Sequence, residues 1–256
     1  MLLKITRTTL ILVAISSVAC RPIPSPPTLD RSVPGPMAAQ IVRERLAAVV
    51  VTDRSELASW VRKNFSILEA PSDADGGSAA PISEDGYFLT ADHVIARSTD
   101  RNIFIVYRSR GRMMTEKSRI VWRSAADDLA LLHVSQKTPY YYEWTPPDQW
   151  LSSGHGVIHG GMATGFRSAP GKLRSSLPPE NFLTGNRNFK IDIPLQPGDS
   201  GGPVVDARGG LVGINSAVEF LIPLETPIFI ESEGNRPNTG KITRLIQKDR
   251  SRRAPQ

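Results

Sequence analysis

Short apolar runs separated by turn residues dominate the middle and the end of this chain. Phe65-Ser66-Ile67-Leu68-Glu69, Tyr87-Phe88-Leu89, Ile103-Phe104-Ile105-Val106-Tyr107 and Arg119-Ile120-Val121-Trp122 each predict a strand. So do Leu129-Ala130-Leu131-Leu132-His133-Val134, Val204-Val205 and Leu211-Val212-Gly213-Ile214. Glu84-Asp85-Gly86 is a hairpin signal, and Gly76-Gly77-Ser78 reads as a turn. Helical spacing occurs only near the two ends. Ile41, Leu46 and Val49, then Leu57, Trp60 and Val61, predict two short amphipathic helices within residues 37–64, with Ser55 capping the second. Ile242, Leu245 and Ile246 predict a closing helix.

Composition adds the compartment. Lys4 and Arg7, the apolar run Leu10–Ile15 and the small residues Ser17-Val18-Ala19 make residues 1–19 an export signal, too short to span a membrane well. Cys20, the only cysteine in the chain, directly follows it. The arrangement resembles a bacterial lipoprotein signal, which implies lipidation of Cys20 and a membrane-anchored protein facing the periplasm, or a secreted one without the lipid. Residues 20–36 are Pro-rich and read as an extended spacer. With no second cysteine, no disulfide can form within the chain, so the body must rely on its core. The formal net charge is +6, but Lys241, Arg244, Lys248, Arg250, Arg252 and Arg253 stand against Asp249 alone near the end. The rest of the exported body is close to neutral. Nucleic-acid binding wants a basic face on the folded domain, and none is indicated. The tail charges read as solvated, or as attracted to anionic lipid.

The chemistry centres on Gly198-Asp199-Ser200-Gly201-Gly202-Pro203. A serine flanked by glycines stands open, and the backbone around it can aim successive N–H groups at one point. All four histidines, His93, His133, His155 and His159, precede Ser200. That order excludes the α/β-hydrolase arrangement, whose base follows its serine. Asp92 adjoins His93, but neighbouring side chains on an extended segment point apart, so it orients that histidine poorly. Asp127 and Asp128 are the other candidate acids. His133 lies within a strand and reads as structural. His155 and His159 share a strand face without a cysteine or a carboxylate cluster beside them, so neither a metal nor a cofactor is expected.

Gly77-Ser78, Asp85-Gly86-Tyr87, Leu89-Thr90-Ala91 and His93-Val94 resemble the histidine region of trypsin-like serine proteases, and are most similar to the bacterial HtrA (Deg) type. Ile191-Asp192-Ile193-Pro194-Leu195-Gln196-Pro197-Gly198-Asp199-Ser200 resembles the nucleophile loop of the same family, with Asp199 in place of its usual Asn. Gly154–Gly160 looks like its Gly-rich strand. The family places its acid immediately before an apolar strand, which matches Asp128. The resemblance implies an all-β fold of two six-stranded antiparallel β-barrels, chymotrypsin-like, with short N-terminal helices and a C-terminal helix. It covers residues 65–250, leaves 251–256 as a basic tail, and includes no PDZ domain.

It further implies a serine endopeptidase acting on protein or peptide substrates. His93, Asp128 and Ser200 form the triad, and the N–H groups of Gly198 and Ser200 the oxyanion hole. Ile214, Asn215 and Ser216 match the segment lining the specificity pocket. Pro194 stands where trypsin has its base-reading acid, so a small or medium apolar P1 residue is expected. In the family's animal members the acid beside the serine pairs with a freed N-terminus; no matching start is evident here. A binding protein on a protease fold and an esterase using the same triad are the alternatives. Tyr140-Tyr141-Tyr142-Glu143-Trp144 reads as packed aromatics rather than as a binding surface.

Overall fold

The computed structural model describes residues 33–57, 72–164, 170–181, 187–221 and 228–253. The export signal, Cys20 and most of the Pro-rich spacer lie outside them. So do the strand expected at 65–69 and most of the second expected helix.

Twelve named strands form two bodies of six. In the first, β1 (Ala47–Thr52), β2 (Asp75–Pro81), β3 (Tyr87–Thr90), β4 (Asn102–Ser109), β5 (Arg112–Ser124) and β6 (Leu129–His133) close a barrel in the order β1-β2-β3-β6-β5-β4. The second comprises β7 (Gly156–His159), β8 (Pro170–Lys172), β9 (Arg187–Ile191), β10 (Pro203–Asp206), β11 (Leu211–Leu221) and β12 (Ile228–Arg236). Its order is β8-β7-β10-β11-β12-β9. The two edges of this sheet approach each other at a Leu173–Ile191 bridge, where Asp192 N donates to Lys172 O at 3.1 Å and Arg174 N to Lys190 O at 2.7 Å. All pairings between named strands are antiparallel. The expected all-β architecture of two six-stranded bodies is what forms, the first closed and the second a half-barrel.

Alternation along the strands sorts the side chains into four clusters among the described residues, the smallest formed by Ala48, Val50, Phe104 and Val106 with Leu57 and Met162. Phe88, Ala130 and Leu132 point into the first barrel with Val49, Val51 and Ile105. Their neighbours Tyr87, Leu89, Leu129 and Leu131 point the other way, against Ile158, Val205, Leu211 and Ile214 of the second sheet. Val204, beside Val205, turns into the second body with Val157, Phe189 and Val212. These strands read as unbroken apolar runs because both faces are buried. Tyr142 lies in the shared core with the Arg45 guanidinium 5.5 Å from its ring centre, whereas Tyr140 is exposed. Packing therefore accounts for Tyr142 but not for its whole aromatic run.

The N-terminal segment departs from expectation. A helix, α1, covers Pro36–Glu44, but Leu46 and Val49 do not continue it. Ala47-Ala48-Val49-Val50-Val51-Thr52 is β1, buried at every position and paired with both β2 and β4. Consecutive valines are stiff at χ1 and suit a pleated, doubly covered strand better than a helix. The barrel therefore begins at Ala47, not near Asn64. The Gly76-Gly77-Ser78 turn is likewise absent: those residues lie inside β2.

The closing helix, α2, covers Thr239–Arg253. Glu180 caps it, accepting from Thr239 N at 3.0 Å and Thr239 Oγ1 at 2.9 Å. Ile242 and Ile246 enter the shared core. The basic tail is not simply solvated. Arg250 makes a two-pronged pair with Asp85, both bonds 2.7 Å, and Arg253 donates to the Tyr87 hydroxyl at 2.7 Å. Asp249 accepts from that hydroxyl at 2.7 Å and from Arg119 at 2.9 Å. His133 packs edge-on against Tyr87, and burial pushes its imidazole down to about 4, so it stays neutral in this cluster. Hydrogen bonding from Arg119 holds the Asp249 carboxyl at about 2, and bonding from Arg250 holds that of Asp85 at about 2.

Both carboxyls are depressed in the folded chain, so their contribution is complete above the ordinary value of 3.8 and is lost as pH falls toward about 2. Asp249→Ala is expected to cost about 2 kcal/mol at neutral pH. Thermal unfolding across pH checks this: the gap between variant and wild type should close between those two values.

Candidate active site

β3 ends at Thr90, and one 3-10 turn, Asp92–Ile95, sets His93 at the edge of the first barrel. Asp92 is turned inward, where the fork of Arg123 binds it at 2.7 and 2.8 Å; the segment is a 3-10 turn rather than the extended one expected, and Arg123 rather than alternation holds Asp92 away from the imidazole. The His93 side chain is left 50% exposed. Its Nδ1 lies 2.9 Å from Asp128 Oδ2 and 3.0 Å from Oδ1, and its backbone N donates to Oδ1 at 3.0 Å. Asp128 sits just before β6 with φ at +46°, a left-handed conformation that Asp tolerates better than most residues. Asp127 is engaged elsewhere, accepting from Ser124 Oγ at 2.7 Å with Lys241 3.9 Å away. Of the two candidate acids, the structure brings only Asp128 to His93.

The carboxylate on Nδ1 makes that nitrogen the proton carrier of the neutral ring and leaves Nε2 as the acceptor. The bond from Asp128 raises the His93 imidazole above its usual value, against the opposing effect of burial. Burial pushes the Asp128 carboxyl up, but the bonds from His93 and Ser216 outweigh it, and the carboxyl lies below its usual range. Ser216 Oγ donates to Asp128 Oδ2.

Ser200 comes from the second body, on the loop before β10. It shares with His93 a cleft of about 490 Å³, lined also by Asp75, Gly76, Val94, Ala96, Arg97, Pro197 and Gly198. Its Oγ donates to Ser216 O at 3.2 Å. Ser216 thus touches both the acid and the serine.

The serine loop is keyed into the first barrel. Ser78 N donates to Ser200 O at 2.8 Å, and Ser78 Oγ donates to Gly198 O at 2.7 Å while accepting from Met162 N at 2.8 Å. Gly201 has φ of +84°, and a Cβ there would stand 2.1 Å from Ser78 O. A Cβ on Gly202 would stand 2.0 Å from Gly160 O. Gly198, with φ of +103°, takes the tight conformation the motif predicts. Among the described residues, neither Gly198 N nor Ser200 N donates to a carbonyl.

Asp199 is wholly buried, and its partners are three main-chain N–H groups and one hydroxyl. Oδ1 accepts from Ala163 N and Thr164 N, both at 3.0 Å, and from Thr164 Oγ1 at 3.3 Å; Oδ2 accepts from Gln196 N at 2.9 Å. A Cβ on Gly161 would stand 2.1 Å from Oδ1, so the 161–164 turn closes around the carboxylate.

The expected specificity residues divide. Ser216 reaches the site. Ile214 is buried in the shared core, and Asn215 is buried with its Nδ2 donating to His159 Nδ1 at 3.3 Å. Asn215 N donates to Gly202 O at 2.8 Å and accepts, through its own carbonyl, from Gly201 N at 2.9 Å. Adjacent on β11, the two side chains turn to opposite faces, Ile214 into the shared core and Asn215 toward His159, while the Asn215 main chain braces the serine loop from behind. Pro194 is exposed and does not line the cleft. His155 and His159 are both buried around β7, and among the described residues no three or more His, Cys, Asp or Glu gather as a metal site. Sequence reasoning missed the roles of Ser78, Gly161 and Thr164. Only the glycine at 161 carried a signal.

The family model described as the trypsin-like peptidase domain matches residues 77–214, which include His93, Asp128 and Ser200. The chain belongs to the trypsin-like peptidase family. One relative of this trypsin-like domain is a probable periplasmic serine endoprotease, DegP-like, from Pseudomonas fluorescens. It is 29% identical over 189 residues, 67% of this chain and 38% of the relative. A protein of the same description from Rhizobium meliloti is 32% identical over 150 residues, 56% of this chain and 28% of that one. The chain thus spans well under half the length of these curated relatives. Among solved structures, the HtrA-type protease AlgW with a tripeptide aligns at TM-score 0.57 and 22% identity, covering 82% of this chain and 62% of its own. Deg5 aligns at TM-score 0.55 and 17% identity, covering 81% and 90%. These likenesses establish that the trypsin-like domain has the fold of that group.

The His93–Asp128 contact makes a direct prediction. Titrated by NMR, the His93 ring should ionise above the usual 6.5, and Asp128→Asn should bring it down. Equal values in the two proteins would mean that the contact does not form in solution.

Proposed function

We propose that the chain is a serine endopeptidase of the HtrA type. The observation that carries this reading is the chain of contacts from Asp128 to His93 Nδ1, in a cleft that also holds Ser200. In the reaction, Ser200 Oγ leaves its bond to Ser216 O, gives its proton to His93 Nε2 and attacks the scissile carbonyl. The developing oxyanion takes the N–H groups of Gly198 and Ser200, which have no carbonyl partner among the described residues. His93 then passes the proton to the leaving amine. Asp128 holds the tautomer and stabilises the imidazolium, and Ser216 Oγ fixes the carboxylate that does so. Water repeats the sequence on the acyl-enzyme. Asp199 keeps the serine loop in register from below. The apolar P1 preference in this reading rests on the family resemblance, since Pro194 itself lies outside the cleft.

The bond from Ser200 Oγ to Ser216 O favours one rival reading, a latent or purely binding protein whose hydroxyl stays turned from the imidazole. Incubation of wild type and Ser200→Ala with casein and a fluorophosphonate probe separates the two. Wild type should cleave and label, and the variant should lose roughly 10⁶-fold in turnover, in line with the loss of a triad serine elsewhere. Labelling without cleavage would leave an esterase. A folded wild type that does neither would establish the rival.

We further infer an exported protein, anchored through lipid on Cys20 and spaced from the membrane by residues 21–36. The sequence before Pro36 supports both the export and the anchor; relatives described as periplasmic support the export alone. Metabolic labelling with palmitate should mark wild type but not Cys20→Ala; an unlabelled wild type would mean simple secretion.

A further inference from the structure

Two charged side chains besides His93 line the cleft, Asp75 and Arg97. Asp75 is already neutralised. Arg101 Nη1 donates to its Oδ2 at 2.5 Å, and Arg101 is itself fixed, donating from Nη2 to Val51 O at 2.9 Å and to Asp73 O at 3.1 Å. Asp53 lies 3.4 Å from Arg101 Nε. Arg97 is in a different state. Its guanidinium reaches only to 3.7 Å from the other Asp75 oxygen, beyond hydrogen-bond length, and its side chain is 83% exposed. Among the described residues, a planar fork of five donors thus stands at the mouth of the cleft with most of its capacity unused, in the geometry that suits a carboxylate.

The side of the cleft follows from the chemistry. His93 must deliver its proton to the leaving nitrogen, so the leaving segment runs on the His93 side of Ser200. Val94, Ala96 and Arg97 continue from His93 along that wall, with Asp75 and Gly76 beside them. Ser216, which holds the serine from the other side, does not line this cleft. We propose that Arg97 selects substrates bearing Asp or Glu within the first residues after the scissile bond. This rests on the endopeptidase reading above.

The test uses the full chain and peptides identical up to the scissile bond, with Glu, Gln or Lys as the second residue beyond it. In wild type at low salt, kcat/KM for Glu should exceed that for Lys by about ten-fold, the scale of one attractive against one repulsive exposed pair. About 0.5 M salt should remove most of the difference. Arg97→Ala should flatten the ranking, Arg97→Lys should keep its order, and Arg97→Glu should invert it. Binding of the same peptides to Ser200→Ala, followed by fluorescence anisotropy, should give the same ranking without any turnover. Cleavage of all three peptides at equal rates, or a preference that survives in Arg97→Ala, would overturn the proposal while leaving the endopeptidase intact. Ranked binding with no cleavage by wild type would uphold Arg97 and overturn the endopeptidase. Unranked binding with no cleavage would overturn both.

Discussion

The contact on which the site depends is the seating of one body's loop in the other's wall. Ser78, on β2 of the first barrel, takes both the serine carbonyl and the carbonyl of Gly198, and also holds the 161–164 turn. Ser200 and the His93 imidazole arise on different sheets, so their relation is only as fixed as this junction. That is why its glycines are steric requirements. A β-carbon at 201 or 202 would drive the loop out of contact with Ser78 or Gly160. The apolar core shared by β3, β6, β10, β11 and both helices supplies the bulk attraction, and Ser78 supplies the register.

α1 and α2 place their apolar residues in that same shared core. α2 adds a ring of ion pairs around Tyr87, which lies six residues before His93 on the same strand-and-turn unit. Unlike most exposed pairs, those at Asp249 and Asp85 are two-pronged and mutually supported, which is the condition under which surface ion pairs add stability. The closing helix is thus coupled to the strand that delivers the histidine.

Much of this was legible in the sequence. Runs such as Ile103–Tyr107 and Leu129–Val134 read correctly because two-sided burial leaves few polar interruptions. The histidine and serine segments stood out because the chemistry expected of them demands glycine and small residues at fixed places. Asp128 could not be separated from Asp127 by neighbourhood alone; a left-handed backbone at 128 decides between them, and nothing local announces it. β1 was missed because Ile41, Leu46 and Val49 fit a helical stripe, while the neighbours that bury both faces of the strand lie some 30 and 60 residues away. The burial of the Ile214 and Asn215 side chains was not legible, because family position does not say which way successive residues of β11 point. Ser78 was read as part of a glycine-rich turn and of the family likeness, and its anchoring role stayed hidden because the loop it holds lies some 120 residues away.

A carboxylate held by main-chain donors has an unusual inheritance. Side-chain partners vanish with one codon, but the N–H groups of Ala163, Thr164 and Gln196 are present whatever residues stand there, proline excepted. Asp199 is therefore insulated from most drift at the positions that bind it. The vulnerable place is Gly161, which contributes nothing to the carboxylate except the absence of a side chain. Lineages of this chain should be free to vary at 163 and 196, less free at 164, whose hydroxyl also donates to the carboxylate, and confined to glycine at 161.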